Sequence, residues 1–260
     1  MKKIAAAIVV LMLAGGGCLP ASLNLPAAAT PTRSAAPPSW AKLSDVVSRY
    51  ECAAPFCASR LIIYKFAKDK FNWRLENSAA AATVENWDKQ LGAKESFVMN
   101  GVYFDEKNLP TGLFMNKGKR AGAGEYDRDQ SGLLVLTPEV KIFSSRNGAP
   151  ETESLAEAAQ NFPLLIKDGV AATTFKDERS ARRTFIGTDA DGNVYAGIVP
   201  ERGMTFPALA KYLATLGVKW DNVLNLDGGT STGFAAHVGN FSETMNSIVQ
   251  VPNVIVAENK

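Results

Sequence analysis

Thr184-Phe-Ile-Gly-Thr188, Asp189-Ala-Asp-Gly192, Asn193-Val-Tyr-Ala-Gly-Ile-Val199: two β-rich runs meet at an Asp-Gly corner. Asp191-Gly192 supplies the positive φ that a tight hairpin turn demands, so the segment reads as two antiparallel strands. The same grammar recurs outward from it. Arg60-Leu-Ile-Ile-Tyr-Lys-Phe and Phe71-Asn-Trp-Arg-Leu alternate in the manner of strands, and Ser96-Phe-Val-Met runs into Asn100-Gly101. Leu113-Phe-Met follows a polar turn over Asp105 to Thr111, and Gly132-Leu-Leu-Val-Leu pairs with Val140-Lys-Ile-Phe around Pro138. Pro252 places a last strand, Ser247 to Ala257, at an edge or a bulge. Helices are fewer. Ser78 to Leu91 is Ala-rich with apolar residues at helical spacing and stops at Gly92; Leu155 to Asn161 reads as a short helix. Thr205 is an N-cap for a helix whose apolar face is Phe206, Leu209, Ala210, Leu213 and Leu216, with Gly217 as its C-cap. The expected fold is therefore α+β: mostly antiparallel or mixed β-sheets with a few packed helices.

The ends of the chain narrow the setting. Met1-Lys2-Lys3 is a charged start, Ile4 to Leu13 is an apolar run too short to span a bilayer, and small residues lead to Cys18. Residues 1–18 resemble a lipoprotein signal with Cys18 as the lipidation site, although Gly15 stands where that pattern prefers Leu. Ordinary cleavage near Ala27-Ala28-Ala29 is the soluble alternative. Either reading places the protein in the periplasm, anchored to the cell envelope or free. Residues 19–40, rich in Ala, Pro, Ser and Thr, read as a tether, and residues 41–260 as one domain. Cys52 and Cys57 are close enough for a short-loop disulfide in an oxidising compartment, with two unpaired thiols as the alternative. The net charge of +2 and the lack of a long Lys/Arg run exclude nucleic-acid binding by bulk charge. His237 is the only histidine, which argues against zinc.

Chemistry concentrates in Val223-Leu-Asn-Leu-Asp-Gly-Gly-Thr-Ser-Thr-Gly233. A buried strand carries Asn225 and ends in Asp227. A corner at Gly228-Gly229 then frees backbone N–H groups, and Thr230 and Ser231 add hydroxyls that suit phosphate or sugar oxygens. Asn100-Gly101, Lys167-Asp168-Gly169 and Arg183-Thr184 are further strand ends bearing polar groups. An arginine there suits a phosphate, whose oxygens its guanidinium binds in pairs. Taken singly, each position is equally a turn or a surface ion pair.

Together these stretches are similar to the phosphodiester glycosidase family, in its bacterial branch; an animal N-acetylglucosamine-1-phosphodiester glycosidase belongs to the same family. The resemblance rests on Met99-Asn-Gly-Val-Tyr-Phe104, Arg183-Thr-Phe-Ile-Gly187, the block from Gly203 to Ser231, and Val251-Pro-Asn-Val-Ile-Val256, in that order. The chain departs from the pattern at Val102, Phe162 and Thr230. The resemblance implies a glycosidase acting on a sugar–phosphate or related glycosidic linkage, with a glycan or sugar phosphate as its partner, in exopolysaccharide or cell-envelope metabolism. It places Asn100, Arg183, Thr184, Asp227, Gly228, Gly229 and Ser231 in one pocket, with Asp227 and Arg183 as the catalytic pair. Asp168, Asp105 and Glu125 are candidates for the second carboxylate that glycosidases commonly use. No cofactor is required by such chemistry; a structural Ca²⁺ held by carboxylates is compatible with it. The competing expectation is a non-catalytic protein that holds a glycan or phosphoglycan in the same pocket.

Overall fold

The structure, a computed structural model, describes residues 37–92, 96–122, 124–146, 149–177 and 179–260. The expected signal and Cys18 lie outside these residues, as does the tether up to residue 36. Trp40 already belongs to the folded part, its ring 5.4 Å from that of Tyr50.

Among the described residues three sheets carry the chain, and every strand pair in them is antiparallel. The largest has eight strands in the order β1 (Trp40–Lys42), β2 (Val47–Cys52), β3 (Leu61–Phe66), β14 (Val194–Met204), β13 (Ala181–Asp189), β15 (Trp220–Asn225), β11 (Leu164–Lys167) and β12 (Val170–Ala171). A five-stranded sheet runs β17 (Phe241–Met245), β16 (Phe234–Val238), β5 (Ser96–Asn100), β18 (Val251–Asn259) and β4 (Phe71–Ala82). Another orders β7 (Lys119–Arg120), β6 (Phe114–Asn116), β10 (Ala158–Asn161), β8 (Gly132–Val135) and β9 (Lys141–Ser144). Among the described residues two α-helices complete the fold, α1 (Val84–Leu91) and α2 (Phe206–Ala214). The fold is α+β in the broad sense and strongly dominated by strands.

The eight-stranded sheet is buried on both faces, and strand alternation divides its side chains between two cores. Ile62, Tyr64, Phe66, Ile186, Ile198 and Leu224 face a core shared with the other two sheets. Leu61, Ile63, Phe185, Val199 and Val223 face the other way, under Phe206, Leu209 and Leu213 of α2. A fully buried side chain of this kind contributes roughly 1.5–3 kcal/mol. The same alternation later decides where Arg183 and Thr184 go.

Several expectations hold. Asp191-Gly192 turns β13 into β14, with Gly192 at φ +84°. Thr205 caps α2 by accepting from the Ala208 N–H, although the C-cap is Thr215 and Gly217 comes two residues later. Cys52 and Cys57 form a disulfide. Pro252 sits at a register shift between Val251 and Asn253, inside the sheet rather than at an edge. Two helices are corrected. Residues 78–82 extend β4, whose ladder with β18 runs from Phe71 to Asn77 and resumes at Ala82 after a register shift, so only Val84–Leu91 is helical. Residues 158–161 are β10, bonded to β6 and β8 on its two sides. In both places distant ladder partners override local alanine propensity.

One polar cluster ties the large sheet to β17. The Glu243 carboxylate receives Arg49 at 2.7 and 2.8 Å, lies 3.7 Å from Arg60, and accepts from the Tyr64 hydroxyl. Burial and the Glu243 charge together push the Tyr64 hydroxyl well up. Glu243→Gln leaves Arg49 without its bidentate partner in a half-buried setting, so the variant is expected to lose about 2–3 kcal/mol, read as a lower urea midpoint at unchanged slope.

Candidate active site

β5, β13 and β15 deliver their ends to one place. The Asn100 side chain, fully buried at the end of β5, donates from Nδ2 to the Asp227 carbonyl at 2.6 Å. Its Oδ1 accepts from Thr184 Oγ1 at 2.9 Å and from the Gly233 N–H at 3.1 Å. Thr184 also lies 3.2 Å from Thr232 Oγ1. The Asp227 N–H bonds the Gly101 carbonyl at 3.0 Å, and the Leu226 N–H bonds the Thr184 carbonyl at 2.8 Å. These contacts clamp the chain on both sides of Asp227 and join the eight-stranded sheet to the sheet that holds β5 across the site. Thr184→Val removes a buried donor from Asn100 and is expected to destabilise the fold by about 1–3 kcal/mol, measured by chemical denaturation.

Asp227 itself is half-buried. Desolvation pushes its carboxyl up to about 6, opposed by the Ser231 side chain and the Gly228 N–H, which favour the charged form. The Gly228 N–H reaches Asp227 Oδ1 at 2.8 Å. The corner that follows needs glycine twice. A Cβ on Gly228 would lie 2.9 Å from the Arg182 carbonyl, and Gly229 has φ +61° with open space where a side chain would stand. That space leaves room for a ligand to approach the backbone. Thr230 is exposed, and its carbonyl accepts from the Ile248 N–H.

Tyr103, inside the Met99–Phe104 motif, is a residue of the cluster that the sequence alone does not single out. Asn225 Nδ2 donates to its hydroxyl at 3.0 Å, which leaves the phenolic proton free for another acceptor. Burial, with the Asp227 charge next, pushes that hydroxyl up to about 12, while Arg183 pulls it down. The Tyr103 oxygen thus lies within electrostatic reach of both Asp227 and Arg183, and it stays protonated at neutral pH. Asn225, expected to bind substrate, is fully buried and supports Tyr103 instead; its Nδ2 also donates to the Phe162 carbonyl at 2.9 Å.

Arg183 and Thr184 leave β13 on opposite faces. Thr184 points to Asn100, whereas the Arg183 guanidinium lies over the Phe206 ring at 3.7 Å, on the α2 side. It donates to the Met204 carbonyl at 3.1 Å and to the Arg179 carbonyl. Among the described residues it forms no salt bridge, and burial lowers its pKa. A stacked, carbonyl-anchored guanidinium outside any salt bridge is a fixed positive charge suited to an anionic group. Its neighbour Arg182 is also buried, donating to the Thr232 carbonyl at 2.6 Å, and its Nε has no partner.

The expected second carboxylates are elsewhere. Asp168 occupies the exposed turn between β11 and β12, its N–H bonded to Asn222 at the opposite end of β15 from Asp227. Asp105 is used up by its own turn, accepting from the Lys107 and Leu109 N–H groups, and Glu125 is exposed. Gly101 is a packing glycine, since a Cβ there would meet Asn253 Oδ1 at 2.0 Å. A carboxylate that does act on the cluster is Asp177, which interacts with both Tyr103 and Arg183 and is held down to about 2, chiefly by Arg179. Nothing in its local sequence sets it apart, because it reaches the site on a loop. Among the described residues no group of three or more His, Cys, Asp or Glu side chains is arranged to hold a metal ion.

A groove of about 690 Å³ opens beside this cluster, with Asp177, Phe162 and Phe206 in its wall. The Phe162 ring packs on Tyr103 at 4.9 Å. The cluster therefore offers a half-buried carboxyl, a protonated phenol and a fixed cation beside an open groove.

Comparison with known proteins bears on the fold and the family. The catalytic domain of zebrafish N-acetylglucosamine-1-phosphodiester α-N-acetylglucosaminidase, auto-inhibited by its pro-peptide, shares the fold with a TM-score of 0.60 at 15% identity, over 84% of this chain and 85% of that one. A hypothetical protein from Synechocystis superposes with a TM-score of 0.56 at 15% identity, over 87% of this chain; the match spans 64% of the Synechocystis chain. The search of curated proteins found no significant match. Residues 93–258 match the phosphodiester glycosidase model. With the model covering more than half of its length, this chain belongs to the phosphodiester glycosidase family.

Proposed function

We propose that this protein hydrolyses the bond between an anomeric carbon and a phosphodiester, in the periplasm and in service of exopolysaccharide or cell-envelope metabolism. The observation that carries the reading is that Tyr103 lies within electrostatic reach of both Asp227, raised to about 6, and the Arg183 cation, which forms no salt bridge among the described residues. Family membership supports the reaction class. In this reading the C1–O bond breaks with its electron pair leaving on a phosphate oxygen. A phosphate monoester is a far better leaving group than a sugar alkoxide, so charge neutralisation by Arg183 and a hydrogen bond from Tyr103 replace a strong general acid. Asp227 acts as the carboxylate, either attacking C1 or activating water; retention of anomeric configuration marks the first and inversion the second. The residues named supply this chemistry without a cofactor.

The test is direct. Purified protein is incubated with an N-acetylglucosamine 1-phosphodiester, and free sugar and phosphomonoester are followed together. Release of both, insensitive to EDTA, supports the proposal; binding without release marks a glycan-holding protein and sinks it. For location, the charged and apolar start, Cys18, and the Cys52–Cys57 disulfide support an envelope anchor in an oxidising compartment. Cys18→Ser is expected to move the protein from the membrane fraction to the soluble fraction on ultracentrifugation, and retention in the membrane would refute the anchor.

A further inference from the structure

We infer that the loop tips around the candidate site form a docking surface for a lipid bilayer, so that the end of the fold bearing Asp227 faces the envelope membrane. The inference goes beyond the reaction proposed above and shares with it only the envelope location. Among the described residues five large apolar side chains stand exposed: Phe56, Phe162, Val170, Ile248 and Val249. Ladder register puts four of them at one end. Cys52 pairs with Leu61, so the loop carrying Phe56 lies beyond Ile62, which is level with Ile198 and Thr184. Met245 is level with Phe234 and Met99, and the chain then passes Thr230, whose carbonyl accepts from the Ile248 N–H at 2.8 Å. Phe162 precedes β11 where that strand meets Leu224. Val170 is at the other end, in the turn whose Gly169 N–H bonds the Asp221 carbonyl. Single exposed apolar side chains are ordinary; four that flank one site mark an interaction face.

The loops suit an apolar medium. Ala53, Ala54, Pro55 and Phe56 are all exposed, and the Cys52–Cys57 disulfide closes them into a short loop. No residue from Cys52 to Ser59 is charged, nor any from Met245 to Ala257. An uncharged tip leaves water at little cost when its backbone is already bonded. The Phe56 and Cys57 N–H groups both reach the Ala53 carbonyl, at 3.0 and 3.1 Å. The Ile248 and Val249 N–H groups share the Thr230 carbonyl, and the Val249 carbonyl accepts from Ser247 Oγ at 2.7 Å. Phe56 is 47% exposed and Ile248 68%, so both side chains are free to insert.

The point where the chain enters the fold says what covers this end. Trp40 is level with Tyr50 and, across the sheet, with Phe185 and Asn225, and β1 runs from there away from the site. The chain therefore enters at the site end. Twenty-one residues separate Trp40 from Cys18, the proposed lipid anchor. As a flexible coil such a segment spans about 25 Å, whereas a compact domain of this size is about 45 Å across. An anchor at Cys18 thus brings the site end, and not the Val170 end, to the bilayer. The tether also makes docking intramolecular, at an effective concentration on the order of millimolar, so a few inserted side chains suffice.

The test uses the mature chain from position 18 with Cys18→Ser, which removes the lipid and none of the described elements. It is sedimented with vesicles of phosphatidylethanolamine and phosphatidylglycerol in equal parts. The bound fraction is expected to rise with lipid, and Phe56→Ser/Ile248→Ser/Val249→Ser to lower the partition coefficient by at least about tenfold. All three side chains are exposed, so the urea midpoint should stay in place. Val170→Ser removes an equally exposed side chain from the opposite end and is expected to change partition less than about twofold. Phe56→Trp should add fluorescence that brominated lipid quenches. Absent partition, partition untouched by the triple substitution, an equal loss from Val170→Ser, or an unquenched Trp signal overturns the inference. So does a dimer in solution that the triple substitution dissociates, which would give this face to a second copy. The protein in this assay carries no lipid and meets no substrate, so failure of the Cys18 anchor or of the catalytic reading is seen separately, in fractionation and in turnover.

Discussion

Asp227→Asn is expected to lower kcat by at least about 10³-fold while making the protein more stable. The two effects share one cause. The carboxyl is held in a half-buried niche that favours its neutral form and raises its pKa from 3.8 to about 6. Because the folded protein binds this proton more tightly than the unfolded chain, the ionised group costs stability above pH 6. That cost is relieved as pH falls from about 6 toward 3.8 and is absent below it. At pH 7, after allowance for the partial exposure, it amounts to about 1–3 kcal/mol. An asparagine has no charge to desolvate and can still accept from the Gly228 N–H, so the variant should melt several degrees higher at pH 7, at roughly 2–4 °C per kcal/mol for a domain of this size. The advantage should vanish near pH 4, where the wild-type carboxyl is neutral as well. In wild type, kcat/KM should fall as pH drops through about 6, since the ionised form does the work. A variant that is inactive and also less stable at pH 7 would assign Asp227 a structural role; full activity would remove it from the mechanism.

How much of this could be read from the chain depends on where each partner lies. The hairpin at Asp191-Gly192 and the α2 cap at Thr205 are set by residues a few positions apart, and both appear as expected. Residues 78–82 and 158–161 misled because alanine favours helix until a strand from elsewhere claims it. For residues 78–82 that strand is β18, which pairs on either side of them, at Asn77 and at Ala82, from about 170 positions along the chain. Asn100, Thr184 and Asp227 were legible as strand ends with polar tips, and one hydrogen-bond network does join them. Their roles were less legible. Asn100, Thr184 and Asn225 are sealed inside and hold other groups in place, a distinction that only burial reveals. Adjacent residues of a strand point to opposite faces, so Arg183 and Thr184 could not both line one wall; Tyr103 restores Arg183 to the site from the α2 side. Tyr103 and Asp177 arrive on loops, where no periodicity announces a direction.

That geometry sharpens the expectation for Arg183. Arg183→Met keeps an apolar stem over the Phe206 ring and removes the charge, so the fold should survive. Loss of a fixed cation at a developing phosphate charge is expected to reduce kcat/KM on a sugar 1-phosphodiester by about 10²–10³-fold. A p-nitrophenyl glycoside of the same sugar places no phosphate there, and its leaving group needs no cationic partner; on that substrate the variant should lose less than about tenfold. Arg183→Lys tests the geometry rather than the charge. The guanidinium is anchored at two points, to the Met204 and Arg179 carbonyls, while its face stacks on Phe206. An ammonium cannot reproduce that fork and plane, so lysine should recover only a minor part of the loss. Equal losses on both substrates would show that Arg183 shapes the pocket without meeting the phosphate. A loss confined to the phosphodiester would place the departing phosphate at the mouth of the groove, because the ring beneath Arg183 is part of the groove wall.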